Sequence, residues 1–192
     1  MGVMTVLKRV GRILPGIAIV IGVTTSLSAE EKGITVLSNT WYWGAAAYRA
    51  NEKDSPDVCI LQSGVQTNGL ILAFRVDMKP TDPSISREFR VINDKWELAP
   101  NLDGSKYQVS IGFWNATLTV TLNDNHVIGT HLDLPTLQAM LNAMDNASVA
   151  KVTVGNQRTL LVSLNQSHIP TNAFRACAHI PGKAPAGKNP FE

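Results

Sequence analysis

The sequence predicts a mainly β, α+β domain: an antiparallel sheet or sandwich with two short C-terminal helices and one disulfide. Short apolar segments with the two-residue alternation of half-buried strands recur up to residue 133. Apolar residues at helical spacing follow only after that point. The chain has two cysteines, Cys59 and Cys177, one on each side of this boundary. Strands that come first and helices that come late favour an α+β arrangement.

The first half of the chain is predicted to consist of strands joined by turns. Residues 58–61 and 70–76 are apolar and rich in strand-forming side chains. Asn68-Gly69 lies between them and is typical of a tight hairpin turn. Residues 78–86 contain two prolines and are predicted to form a loop. The next short strand is expected at residues 89–92.

A second hairpin is predicted in the middle of the chain. Apolar and polar residues alternate along residues 107–113 and again along residues 116–122. A connection at Trp114-Asn115 would make these segments an antiparallel pair. This alternation sends Phe113 into the core and leaves Trp114 exposed or in the turn.

The first helix is predicted from its start signals and its apolar face. Pro135 suits a first helical turn, and Asp133 is a favoured N-cap residue. The helix is expected to end near Asn146. Four apolar residues share one face at helical spacing: Leu134, Leu137, Leu141 and Met144.

The second helix is predicted over residues 170–179, after a hairpin formed by residues 151–154 and 159–164. Ser167 is its candidate cap. The residues expected on its inner face, towards the sheet, are Ile169, Ala173, Phe174 and Cys177.

The N-terminus has the three parts of a secretory signal peptide. Lys8, Arg9 and Arg12 are positively charged, residues 13–23 are uncharged and mainly apolar, and residues 24–29 are small or polar except for Leu27. The alternative is a membrane anchor, which needs about 20 apolar residues. Because the apolar stretch is shorter than that, we predict cleavage rather than insertion.

The predicted cleavage site divides the chain into three segments. Ser26 and Ser28 are small residues at the positions that favour a cut after Ser28. We therefore predict a signal peptide over residues 1–28, a single domain over residues 29–180, and a flexible tail over residues 181–192. The tail is rich in proline and glycine.

Removal of the signal peptide changes the charge balance. The whole chain has 17 basic and 15 acidic residues, and the first 28 residues contain three of the basic ones and none of the acidic ones. The mature domain therefore has 14 basic residues against 15 acidic ones, a net charge of −1. This balance gives no electrostatic support to a nucleic-acid partner or to binding at an anionic membrane.

An even number of cysteines in an exported chain favours a disulfide, which would tie the early strand at Cys59 to the last helix at Cys177. The alternative is a nucleophilic Cys177 near His179, but an oxidising compartment would cap the thiol. His126 and His131 are the only histidines close in sequence. Two imidazoles do not make a structural zinc site, so no metal or cofactor is predicted.

Residues 160–167, Leu-Leu-Val-Ser-Leu-Asn-Gln-Ser, and residues 173–177, Ala-Phe-Arg-Ala-Cys, form the most distinctive stretch. This stretch resembles the C-terminal part of the invasion-associated locus B family of exported bacterial proteins, in which a strand ending in Ser-Leu precedes a small-residue turn and a short Ala-Phe helix. Residues 134–154 fit the same layout. The chain differs at Asn165-Gln166, where a Lys-Gly turn is usual, and has only one cysteine pair. The resemblance implies a non-enzymatic envelope protein of a Gram-negative bacterium, linked to host interaction, and it assigns no functional residue.

Two aromatic clusters are candidate binding residues. Trp41-Tyr42-Trp43 is either a sugar or partner platform or a first strand whose alternate rings enter the core, with Tyr42 pointing outward. Exposed tryptophan and tyrosine are enriched at binding hot spots. Tyr42 and Trp114 are therefore the predicted partner contacts.

The sequence predicts no catalytic residue. Its aspartates are either paired carboxylates of a glycosidase or, in the interpretation we favour, local hydrogen-bonding residues of turns and caps. Ser163 and Ser167 lie near His168, but the Gly-x-Ser-x-Gly motif of a serine hydrolase is missing. The aspartates concerned are Asp54, Asp57, Asp77, Asp82, Asp124 and Asp133.

We therefore expect a non-enzymatic periplasmic or secreted protein that binds another protein, linked to host interaction or virulence, without membrane insertion after signal cleavage. The alternative is an inhibitor or immunity protein that blocks a toxin or hydrolase by inserting a loop, for which residues 77–86 and 123–129 are candidates. A third hypothesis is an envelope hydrolase, which a deep pocket with converging carboxylates or histidines would favour.

Overall fold

The structure is a computed structural model that describes residues 33–50, 55–83, 86–99, 101–155 and 159–182. The predicted signal peptide lies outside the described residues, and so do all residues of the predicted tail except 181–182. The described residues contain eleven strands and two helices: β1 (Ile34–Asn39), β2 (Trp43–Tyr48), β3 (Val58–Ser63), β4 (Leu70–Asp77), β5 (Arg87–Asn93), β6 (Lys106–Ile111), β7 (Trp114–Thr119), β8 (Leu122–Asp124), β9 (Val127–His131), α1 (Leu134–Met144), β10 (Val149–Val154), β11 (Leu160–Ser163) and α2 (His168–Cys177).

Seven strands form a large antiparallel sheet in the order β1-β2-β3-β4-β5-β9-β8. The hairpin predicted from Asn68-Gly69 is present, with Val58 of β3 opposite Asp77 of β4. Gly69 has a φ of +80°, and the Asn68 side chain accepts the N–H of Leu70 at 3.0 Å. Because glycine adopts positive φ without strain, this turn has the chemistry that the sequence indicates.

Four strands form a smaller antiparallel sheet in the order β11-β10-β6-β7. The predicted antiparallel pairing is confirmed for β6 with β7, but the predicted position of its turn is wrong. Leu122, expected at the end of the same strand, belongs instead to β8 of the large sheet. Ile111 lies opposite Trp114, so the turn consists of Gly112 and Phe113. Gly112 has a φ of +57°, which a glycine at the first central position of a two-residue hairpin turn readily adopts.

The two sheets pack face to face as a β-sandwich. Large side chains from both sheets fill the space between them, among them Trp43, Phe74 and Phe89 from the large sheet and Tyr107 from the small one. Polar contacts also cross the core. The Trp43 Nε1–H donates to the Ser163 carbonyl at 2.8 Å, and the Tyr107 hydroxyl lies 2.7 Å from Thr130 Oγ1. Burial raises the pKa of Tyr107 well above its usual range.

Helix α1 begins as predicted. Asp133 is its N-cap residue and accepts the Thr136 N–H at 2.8 Å. Hydrogen bonding to the Thr136 side chain, and then to its N–H, holds the pKa of Asp133 below its usual value. The helix ends at Met144, two residues before the expected Asn146. Its predicted apolar face is confirmed, with Leu137, Leu141 and Met144 buried.

Helix α2 differs from the prediction in which residues face inward. It begins at His168, with Ser167 at the N-cap position but without a side-chain cap hydrogen bond. Phe174 is buried as expected, whereas Ile169 is 52% exposed. Two residues further along is about half a turn, so Thr171 lies on the side of the helix opposite Ile169. Thr171 and Arg175, one turn apart, are both buried.

Arg175 is buried because α1 and the residue after it supply acceptors for its guanidinium group. Arg175 Nη1 lies 3.0 Å from Asp145 Oδ2, and Arg175 Nη2 donates to Asn142 Oδ1 at 2.8 Å. The charge is thus compensated where water is excluded, which is the condition for burying an arginine. These contacts fasten α2 to the C-terminal end of α1.

We predict that Asp145→Ala lowers the free energy of unfolding by about 3 kcal/mol, because the variant leaves a buried guanidinium without its carboxylate. Urea unfolding followed by circular dichroism measures the change. Asp103→Ala, in an exposed turn, is the matched control and should alter stability by about 0.5 kcal/mol or less. Equal effects of the two substitutions would contradict a structural role for the Arg175–Asp145 pair.

The predicted disulfide is present between Cys59 in β3 and Cys177 in α2, with their Cα atoms 6.0 Å apart. Helix α2 packs against β1, β2 and β3. Cys59 is opposite Ala47 in β2, and Leu61 is opposite Ala45 on the same face. The small alanine side chains let the helix approach the sheet closely, which the short disulfide link requires.

Candidate partner-binding surface

The turn between β1 and β2 exposes two aromatic rings. Thr40 closes it, since its N–H donates to the Trp43 carbonyl at 2.8 Å and its Oγ1 accepts the Trp43 N–H at 3.1 Å. Trp41 is 70% exposed and Tyr42 is 43% exposed, whereas Trp43 returns to the sheet and is buried. The outward position of Tyr42 agrees with the prediction. The prediction that alternate rings enter the core is wrong for Trp41, because residue 41 lies in the turn and not in a strand.

The connection between β3 and β4 lies against this turn. The Gly64 N–H donates to the Tyr42 carbonyl at 2.7 Å, and the next residue, Val65, is 54% exposed. Trp41, Tyr42 and Val65 therefore form one exposed apolar surface on two hydrogen-bonded segments, which we call the aromatic turn surface. Contiguous exposed apolar groups on a folded domain are typical of interaction sites.

Side-chain hydrogen bonds hold the β3–β4 connection against the edge of the small sheet. Gln66 donates from Nε2 to the Gly64 carbonyl at 3.0 Å, and its Oε1 accepts the Ser163 N–H at 3.2 Å. Asn68 Nδ2 donates to the Leu161 carbonyl at 3.3 Å. The connection is thus positioned before any partner binds, which reduces the ordering that binding would require.

A further exposed apolar residue, Phe113, lies at the same end of the sandwich. Ser163 of β11, whose carbonyl accepts the Trp43 indole N–H, is opposite Val149 of β10. The next residue of β10, Ala150, is opposite Ile111 at the end of β6. The β6–β7 turn, with its fully exposed Phe113, therefore lies about two strand spacings, roughly 10 Å, along the small sheet from Ser163.

Trp114 was expected to be exposed or in the turn, but it is the first residue of strand β7. Trp114 is half-buried and packs against the core, and Phe113 is the exposed ring instead. The hairpin turn is two residues earlier than expected. The inward-facing positions are therefore odd-numbered in β6, up to Ile111, and even-numbered in β7, from Trp114. Gly112 was the sequence signal that would have placed the turn correctly. Tyr42 and Trp114 as partner contacts stay predictions, and Phe113 is the more exposed ring at the β6–β7 turn.

This exchange of positions makes opposite predictions for two neighbouring aromatic residues. Phe113→Ser should change the free energy of unfolding by about 0.5 kcal/mol or less, because the ring contacts solvent. Trp114→Ser should lower it by about 2 kcal/mol, because apolar area leaves a half-buried site. Chemical denaturation of both variants measures the difference. A larger loss for Phe113→Ser would show that the turn is at Trp114-Asn115 after all.

Several of the aspartates considered as catalytic carboxylates have hydrogen-bond partners within the domain. Asp57 accepts from Lys79 Nζ at 2.8 Å and from the Ala50 N–H at 2.6 Å, and the Lys79 hydrogen bond is the main cause that lowers the pKa of Asp57. Asp124 Oδ1 accepts the N–H of Asn125 at 2.6 Å. Asp133 is a helix N-cap as predicted, and Asp57 and Asp124 each have hydrogen-bond partners. Asp54 lies outside the described residues.

An ionic cluster on the outer face of the large sheet was not predicted. Arg75 Nη2 lies 2.7 Å from Asp77 Oδ1, and Glu88 contacts both Arg75, at 3.5 Å, and Arg90, at 2.8 Å. Burial raises the pKa of Asp77 even though Arg75 is close. Arg75 and Glu88 are opposite each other in register, so the cluster serves to pair strands β4 and β5.

The segment after α1 and the segment before α2 border an open, polar cleft of about 350 Å³ that includes Asp145 and His168. Asp145 is already bound by Arg175, at 3.0 Å. Ser167, considered as a nucleophile, is buried at the start of α2. Among the described residues no three His, Cys, Asp or Glu side chains lie close enough to hold a metal ion.

The two loops considered for insertion into a partner have different structures. Residues 123–129 were expected to form a loop, but most of them belong to the β8–β9 hairpin, in which Leu122 is opposite Gly129. The backbone of this segment is used in strand pairing. Of residues 77–86, Asp77 ends β4, residues 78–82 lie outside any strand or helix, and residues 84–85 lie outside the described residues. The Asp77 N–H donates to the Ser86 carbonyl at 2.8 Å. An inhibitory role for that loop stays a prediction.

No known protein family, curated protein or solved structure matches the chain. The resemblance of residues 160–177 to the invasion-associated locus B family therefore stays a prediction. In the part of the chain that the structure describes, neither helix is long and apolar enough to cross a membrane.

Proposed function

We propose that this chain is a non-enzymatic, exported envelope protein that acts by binding another protein through the aromatic turn surface. The observation that carries the proposal is the 70% exposure of Trp41, with Tyr42 and Val65 beside it on hydrogen-bonded segments. Tryptophan and tyrosine are the residues that most often dominate binding energy at protein interfaces.

The size of the expected effect follows from the area that a partner could cover. A large aromatic side chain buries about 150–250 Å² when it is enclosed. At about 25 cal/mol per Å² of apolar area, covering the exposed part of Trp41 contributes on the order of 3 kcal/mol. One residue could therefore account for a change in affinity of roughly a hundredfold.

Export is supported by two features of different kinds. The N-terminal 28 residues have the order of a cleavable signal peptide. The Cys59–Cys177 disulfide suits an oxidising compartment, such as the periplasm or the extracellular space. A role at the host interface of a Gram-negative bacterium rests on the resemblance of residues 160–177.

The test is a quantitative pull-down from envelope extract with the mature, disulfide-bonded domain as bait. Tyr42→Ser and Trp41→Ser should each reduce the captured partner at least tenfold. Tyr48→Ser is the matched control, since Tyr48 is also exposed but lies at the other end of β2. All variants are first compared by urea unfolding.

Two outcomes would contradict the proposal. Capture that survives Trp41→Ser and Tyr42→Ser, or that falls equally with Tyr48→Ser, would remove the aromatic turn surface as the binding site. Turnover of generic ester, peptide or glycoside substrates by purified mature protein would refute its non-enzymatic part.

A further inference from the structure

The edge strands of the two sheets differ in whether their outward-directed backbone N–H and C=O groups already have hydrogen-bond partners. Strand β8 has only three residues. The edge of β11 is closed by side chains, because the Leu161 carbonyl accepts from Asn68 at 3.3 Å and the Ser163 carbonyl accepts from Trp43 at 2.8 Å. On β7 the Thr119 carbonyl accepts from Thr130 Oγ1 at 2.7 Å. Strand β1 is the edge that adjoins the aromatic turn surface.

The free edge of β1 can be assigned from its pairing with β2. The Gly33 carbonyl accepts the Arg49 N–H at 2.7 Å, and the register continues with Ile34 opposite Tyr48 and Val36 opposite Ala46. Because hydrogen-bonded and non-hydrogen-bonded pairs alternate in antiparallel sheets, Ile34 and Val36 direct their N–H and C=O groups away from β2. Within the described residues these groups have no hydrogen-bond partner.

We propose that β1 accepts an extended, uncharged segment of the partner polypeptide as an eighth strand of the large sheet. This inference rests on the proposed function and specifies how the partner binds. The sequence of β1, Ile-Thr-Val-Leu-Ser-Asn, contains neither the charged residues nor the proline with which edge strands usually prevent such pairing. Backbone hydrogen bonds of this kind are a recurring mode of peptide recognition.

The side chains around the edge favour an apolar segment. Val36 is 58% exposed on the outer face of the sheet. It borders a shallow depression over β2, where Gly44 and Ala46 are small and Ile60 forms the far side. A strand added along β1 would also reach the Trp41-Tyr42 turn at the end of β1, so the edge and the aromatic turn surface form one continuous site.

A second copy of this chain fits the edge less well than a different partner. The bulge between Val36 and Ser38 interrupts the ladder, so self-pairing centred on Thr35 would join only Ile34 and Val36 of each copy. Such a contact is far smaller than the roughly 1,200 Å² of a stable interface. It would also place the two aromatic turns at opposite ends, where neither contacts the other copy.

The experiment uses a phage-displayed library of random 12-residue peptides, panned on the mature protein with its disulfide intact. Enriched peptides should be uncharged and rich in strand-forming residues, and their binding should slow hydrogen exchange of the Ile34 and Val36 amides. Val36→Pro removes an N–H of the free edge and should lower peptide affinity at least tenfold. Thr117→Pro, at an outward-facing position of β7, is the matched control and should leave affinity unchanged.

Two controls make the result independent of folding and of the proposed function. If Val36→Pro lowers the folded fraction, peptide affinity is measured with Val36→Lys instead. The side chain at position 36 is exposed, so the lysine is tolerated, and its charge opposes strand pairing. Affinity lost with Tyr42→Ser but kept with Val36→Pro and Val36→Lys would overturn the edge inference and leave the proposed function intact. Affinity lost only with the Val36 variants would support the edge and contradict the aromatic turn surface.

The remaining outcomes all count against the edge inference. A library that yields no enriched peptide, or peptides that protect amides elsewhere, would overturn it. So would a concentration-dependent dimer of this chain that Val36→Pro dissociates, since the occupant would then be a second copy.

Discussion

Replacing both Cys59 and Cys177 with alanine is expected to lower the free energy of unfolding by about 4 kcal/mol. The disulfide closes a loop with a sequence separation of 118 residues, and cross-links over such long loops restrict the unfolded chain most strongly. The bond also holds α2 on the β1–β3 region, so its loss should expose the alanine-rich face of β2. Guanidinium unfolding of the double variant against the oxidised wild type measures the change.

The wild type reduced under denaturing conditions and then refolded with a reductant is the control for this prediction. It should show a loss similar to that of the double variant, because both lack the cross-link. A loss below about 1 kcal/mol in both samples would mean that α2 is held by packing alone and that the disulfide contributes little.

Trp43→Ala is expected to destabilise the protein by about 4 kcal/mol, the range for removing a buried tryptophan from a core. Trp43 is 1% exposed, and its indole N–H joins the large sheet to the Ser163 carbonyl of the small sheet at 2.8 Å. The substitution leaves both a cavity and an unsatisfied carbonyl. Urea unfolding followed by far-ultraviolet circular dichroism measures it.

Trp43→Phe separates the two contributions. Phenylalanine keeps most of the apolar volume but lacks the indole N–H, so the loss should be about 1–2 kcal/mol. If Trp43→Phe destabilises as much as Trp43→Ala, the hydrogen bond between the sheets carries most of the effect. If Trp43→Ala costs less than about 1 kcal/mol, residue 43 does not occupy the core between the sheets.

The strand pattern could be predicted where one face of a strand is buried and the other is solvated. Residues 107–111 alternate in this way, and the structure confirms them as β6. The sequence did not predict strands β1 and β2 as separate elements, and the reason differs between the two strands. A bulge breaks the alternation of β1, and Gly-Ala-Ala-Ala in β2 has small residues on both faces. On the inner face, Ala45 and Ala47 are explained by the close packing of α2, which sequence periodicity does not report.

The candidate site was predicted only in part, because it depends on where the turns fall. Exposure of Tyr42 followed from alternation before Trp43. For the β6–β7 hairpin, placing the turn two residues too late exchanged the exposed Phe113 for the half-buried Trp114. The proximity of Val65 to Tyr42 depends on pairing between β2 and β3, and the sequence contains no local signal for it. Buried Arg175 was missed for the same reason, since its acceptors come from a distant helix.

Site-specific photo-cross-linking in intact cells tests the central claim most directly. A photoreactive phenylalanine analogue at position 41 should form a discrete adduct with another envelope protein, whereas the same analogue at the exposed position 117 should form none. An adduct found at position 117 with equal yield, or no adduct at position 41, would contradict a partner-binding role for the aromatic turn surface.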